Sequence, residues 1–139
     1  MKAIPFLVAS ALLLLGGCGG NDNLARVTGK VTLDGEPVVG ALVVFSPIAG
    51  GTTSYGRTTA SGEYEMMFSD NERGAWLGEN AVRITTADVG TGDTPASKER
   101  IPAVYNSETK LKAMVESKAN VFDFSLQTSA GKVKQTILE

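Results

Sequence analysis

This sequence predicts an all-β fold: an antiparallel sandwich of about seven strands, preceded by an export signal. Three observations carry that expectation. After Leu24 apolar side chains recur with a period of two along most of the chain, the pattern of a half-buried strand. Turn formers, among them 16 glycines and 5 prolines, separate these runs at short intervals. Beyond the first twenty residues no stretch carries an apolar stripe at helical spacing.

The first element is the export signal. Lys2 supplies a positive start, and Ile4 to Leu15 is an apolar run broken only by Pro5 and Ser10. A bilayer-spanning helix needs about 20 apolar residues, so this run has the length of a signal-peptide core instead. It ends in Leu15-Gly16-Gly17-Cys18, which resembles the bacterial lipobox. That resemblance implies cleavage after residue 17 and a diacylglyceryl thioether on Cys18, holding the chain to a membrane. Gly19 lacks the Asp that retains some lipoproteins in inner membranes, which points to the outer membrane of the cell envelope. Residues 18–24 then read as the lipidated start and a short flexible tether.

The sandwich is expected over 25–128. Val27, Gly29, Val31 and Leu33 fall on one face of the first strand, with Thr28, Lys30 and Thr32 on the other. Asp34-Gly35 is a two-residue turn signal, because both types tolerate positive φ, and Pro37 then stops the ladder. Ala41 to Phe45 is apolar on both faces and predicts a central strand. Tyr55 to Thr59 turns through Ser61-Gly62 into Glu63 to Phe68, where Tyr64, Met66 and Phe68 share a face. Asp70 to Gly74 is a polar loop. Asn80 to Thr86 is a strand with Val82 and Ile84 inward and Arg83 outward. Asp88 to Arg100, with Gly90, Gly92 and Pro95, is a long exposed loop. Lys110 to Glu116 and Asn120 to Gln127 form the last two strands, joined by Ser117-Lys118-Ala119. Residues 129–139 are a tail or an added edge strand.

Composition removes several classes of function. A formal charge of −2 does not suit nucleic acid. The chain has no histidine, so Ser-His-Asp and Cys-His catalysis and imidazole-bound zinc are excluded. One cysteine allows no internal disulfide. Length suits a single domain, and about 100 residues can bury roughly two-thirds of their unfolded surface.

The order Val27-Thr28-Gly29-Lys30-Val31, Leu33-Asp34-Gly35-Glu36-Pro37-Val38 and Gly40-Ala41-Leu42-Val43-Val44-Phe45 resembles the opening of carboxypeptidase regulatory-like domains. Thr59-Ala60-Ser61-Gly62-Glu63-Tyr64 and Gly78-Glu79-Asn80-Ala81-Val82-Arg83-Ile84 are similar to later strands of that family. The segment from Ile101-Pro102-Ala103-Val104-Tyr105-Asn106 to Leu126 is similar to small lipoproteins of planctomycete-like bacteria. The resemblance implies the Greek-key prealbumin (transthyretin-like) fold. It departs at Glu79-Asn80-Ala81, where the family more often has a Pro-Gly turn and an aromatic. Hydrolases of that fold use histidines this chain lacks.

No catalytic residue, metal ligand or cofactor is therefore expected. Glu63 and Glu65, two apart on one strand face, read as a solvated surface rather than a carboxylate pair. Two loops, Asp70 to Glu72 and Asp88 to Asp93, offer calcium-type oxygens without the spacing of a calcium loop. Two aromatics are candidate contact residues for a ligand or partner. Trp76, framed by Gly74 and Gly78, either stacks on a sugar or anchors a partner, or plugs the core beneath its loop. Tyr105 carries the same alternatives. The reading is a non-catalytic, lipid-anchored module for a cell-envelope protein or glycan; the alternative is a carrier or sensor of a small sugar or apolar ligand.

Overall fold

The computed structural model describes residues 20–135. The signal peptide expected over 1–17 and the lipid site Cys18 lie outside these residues. A short strand β1 (Leu24–Ala25) leads into β2 (Val27–Leu33), so Leu24 already belongs to the fold rather than to the tether. The alternation of β2 holds: Val27 and Val31 are fully buried and Lys30 is exposed. Asp34 and Gly35 take φ of 51° and 84°, a turn whose twist matches its flanking strands. The chain returns as β3 (Glu36–Pro37), paired to Leu33 and Thr32. Pro37 does not end the ladder, because Val38 N–H still donates to the Val31 carbonyl at 3.1 Å.

The chain then crosses to a second sheet. Here β4 (Leu42–Pro47) is central, as expected, with β5 (Ser54–Arg57) on one side. β6 (Glu63–Glu65) does not fold back onto β5 as a full hairpin. The turn at Thr59 to Gly62 instead delivers it to β2, where Tyr64 sits opposite Gly29. A single antiparallel bridge, Tyr55 to Met67, still joins the two sheets at this edge. β7 (Ala75–Trp76) pairs with β1, and β8 (Gly78–Thr85) lies against β4 over six residue pairs. β9 (Lys112–Val115) closes that sheet in the order β5-β4-β8-β9.

One expectation is corrected here. The last strands do not pair antiparallel: β10 (Asn120–Val121) and β11 (Phe124–Leu126) both lie parallel to β2. A period of two tells which face a residue occupies, not which strand lies beside it. The turn after Val115 carries the chain from one sheet to the other, held by the Asn120 side chain. Its amide donates to the carbonyls of Glu116, Lys118 and Arg26, and its oxygen accepts from Glu116 N–H. Between β10 and β11 the ladder is interrupted, and Asp123 Oδ1 replaces a main-chain acceptor for Lys30 N–H at 2.9 Å. Such breaks divide the expected seven strands into eleven short segments among the described residues.

The two larger sheets close over Val27, Val31, Val43, Phe45, Met66, Val82, Ile84 and Ile101, all without solvent exposure. Phe45 meets Phe122 and Phe124 with ring centroids 6.0 and 6.4 Å apart. These side chains fill the space between the sheets. The all-β class and the layered sheets agree with the sequence expectation.

Candidate functional site

Because the strand registers share one long axis, the connections sort to two ends of the molecule. At one end the chain enters at Asn21 to Leu24, joined by the turns after β4 and β9 and the segment from Met67 to Leu77. At the other end lie the Asp34-Gly35 turn, Val38 to Ala41 and the loop from Thr86 to Arg100. The seven residues of β2 set these ends about 20 Å apart.

Trp76 stands at the first end. Leu24 is its strand partner, and Leu77 N–H donates to the Asn23 carbonyl at 2.9 Å. The indole is half-buried and stacks on Phe68 at 6.0 Å, with Gly51 against its ring atoms. It is neither a full core plug nor a free aromatic. Asn80, completely buried, holds this corner by donating to the Trp76 and Gly78 carbonyls. Asn80 thus has a local role, pinning the Trp76 turn.

Tyr105 lies at the other end, on a short 3-10 turn at Ala103–Tyr105. Its hydroxyl accepts from Gln127 N–H at 3.1 Å, and its half-buried ring packs on the core. The structure does not bring the two aromatics together into one site.

The second end carries a cleft of about 460 Å³ between Val39-Gly40 and the 86–100 loop, with Arg57, Asp88 and Arg100 in its walls. Arg57 donates to the Gly40 carbonyl at 2.9 Å and faces Asp88 at 3.4 Å. Asp88 also accepts from Gly90 N–H at 2.8 Å, so its carboxylate is engaged by groups of this chain. Arg57, Arg100, Thr91 and Thr94 line it together with Val39 and Pro95, so its surface mixes hydrogen-bonding groups with apolar ones.

Glu99 anchors that loop, and the sequence reading missed it. It is only 6% exposed. Its Oε1 accepts from Thr86 N–H at 2.9 Å, Thr86 hydroxyl at 3.0 Å and Ile101 N–H at 3.0 Å, and the Thr85 hydroxyl donates to Oε2. Burial pushes the carboxyl upward, but the hydrogen bonds from Thr85, Thr86 and Ile101 outweigh it and hold it below its ordinary value. The Gln135 side chain exchanges two hydrogen bonds with the Glu99 backbone. The tail thus clamps the loop without forming a strand there.

The two strand-face glutamates differ in their surroundings. Glu65 pairs with Arg26 at 2.8 Å and Arg73 at 3.4 Å, while Glu63 is exposed. Among the described residues, no group of three or more His, Cys, Asp or Glu is placed to hold a metal ion. No protein-family model and no curated protein matches this chain.

Proposed function

We propose that this chain is an exported, non-catalytic module, lipid-anchored through Cys18 in the cell envelope, with a Greek-key carboxypeptidase regulatory-like domain. Its role is to hold the far-end cleft toward a protein or glycan partner. The observation that carries this reading is the path of the chain. Asn23 and Leu24 join the fold beside Trp76, so an anchor five residues upstream leaves the Arg57–Arg100 cleft at the opposite end. The mixed walls of that cleft, apolar at Val39 and Pro95 and cationic at Arg57 and Arg100, suit a surface that pairs apolar faces with hydroxyls or carboxylates, for which arginine is well shaped.

The cleft volume also falls within the range of small-ligand sites. That observation favours a second reading, a carrier or sensor of a small sugar. The filled interior disfavours an apolar ligand between the sheets.

Two measurements test the proposal. Membrane fractionation with mass spectrometry of the N-terminal peptide should find wild type acylated on Cys18 and Cys18→Ser released from membranes. Pulldown on envelope glycans and envelope proteins should lose its captured species with Arg57→Ala/Arg100→Ala. Capture that is unchanged in the double variant removes the cleft from the proposal. A single defined sugar retained in a size-exclusion assay selects the carrier reading.

A further inference from the structure

We infer that the Phe68–Trp76 corner rests in the headgroup layer of the membrane when the chain is anchored; this rests on the lipid-anchor reading above. The first support is reach. From Cys18 to Asn23 is five residue steps, at most about 18 Å of extended chain, and Asn23 hydrogen-bonds Leu77 next to Trp76. The indole therefore cannot move far from the bilayer surface.

The second support is chemistry. Indole rings favour the membrane–water interface because one part is apolar and the N–H is polar. Among the described residues, the buried side-chain polar atoms lacking a partner are Ser54 Oγ and Asn80 Oδ1. The Trp76 N–H is not one of them and has no acceptor among the described residues, so it keeps some contact with solvent. Ile48, 52% exposed, follows Pro47 on the same rim, and its N–H donates to the Glu79 carbonyl three residues after Trp76. A half-buried pair of aromatics is a weak anchor by itself. A short tether makes its contact intramolecular, with an effective concentration near the millimolar range.

Charge does not supply the attraction. Arg26 and Arg73 are paired with Glu65, and exposed Asp22, Asp70 and Glu72 add further negative charge near this rim. The contact should accordingly form on neutral lipid and resist salt, unlike a polybasic one.

Trp76 is the only tryptophan in the chain, so its fluorescence reads this corner alone. The full-length lipidated protein is reconstituted into vesicles of phosphatidylcholine and phosphatidylethanolamine and followed by flotation and by emission. The expected result is co-flotation, a blue-shifted indole, and emission cut by about half with brominated phosphatidylcholine, at low and high salt alike. Phe68→Ser should weaken the quenching while flotation persists. Lipidated protein that floats with unshifted, unquenched emission overturns the membrane contact alone. Protein that fails to float overturns the anchor reading and the contact with it. An emission change produced by soluble envelope glycan, but not by vesicles, reassigns the corner to a sugar and also overturns the contact.

Discussion

Gly29 shows how one missing side chain organises a sheet. A Cβ there would lie 1.8 Å from the Phe122 carbonyl oxygen and 2.8 Å from the Tyr64 hydroxyl. The Tyr64 hydroxyl donates to that same carbonyl at 2.6 Å, and burial with nearby Asp123 pushes the phenol well above its usual range. Gly29→Ala should therefore cost about 3 kcal/mol or more in urea unfolding, since backbone must move. Gly35→Ala meets nothing within 4 Å and pays only for its φ of 84°, about 1 kcal/mol. Equal losses at both sites would contradict this account. Glu99 makes a second residue-scale prediction. Its carboxyl sits lower in the folded chain than in the unfolded one. Its stabilisation is thus complete above about pH 4.3, the unfolded value, and disappears as pH falls through the folded value. Glu99→Gln should cost about 2 kcal/mol at pH 7, and the gap from wild type should narrow on acidification below the unfolded value. A gap that widens instead would refute the assignment.

Among the elements, the turn from β9 to β10 decides the topology. Asn120 satisfies three carbonyls and one N–H with a single side chain, so Asn120→Ala should cost about 2–3 kcal/mol. Faster amide exchange at Glu116 would accompany it; unchanged exchange there would show that the turn holds without the side chain. The same turn marks where sequence reading stops. Period-two alternation identified the faces of β2, β8 and β9, the continuous apolar run the central place of β4, and the Asp-Gly pair its hairpin, because these depend on neighbours in the chain. The pairing of β10 and β11 with β2 depends on residues some ninety positions away, and no local pattern encodes it. Glu99 escaped notice for a related reason. Its partners Thr85 and Thr86 lie across a loop whose polar composition reads as exposed, and only the folded path brings Gln135 alongside. Trp76 was legible as a candidate, whereas its stacking on Phe68 and its place beside Leu24 were not.

For the molecule as a whole, β2 is the centre of its sheet, with β10 and β11 along one side and β3 and β6 along the other. A chain cut after Ala119 lacks Phe122 and Phe124, which pack on Phe45. Such a chain should fail to fold, visible as trypsin sensitivity and loss of its β-type circular dichroism. A chain cut after Gly131 keeps every strand and should fold, while its 86–100 loop becomes protease-sensitive without Gln135. Persistence of a folded core in the shorter chain would refute the dependence on β10 and β11. The pairing of β2 with residues 120–126 also has a consequence in time. During synthesis β2 meets β3 and β6 early, but waits some ninety residues for β10 and β11 on its other side. Completion of that sheet is thereby deferred until the C-terminal strands are made, so its closing contacts are of high sequence separation and form late.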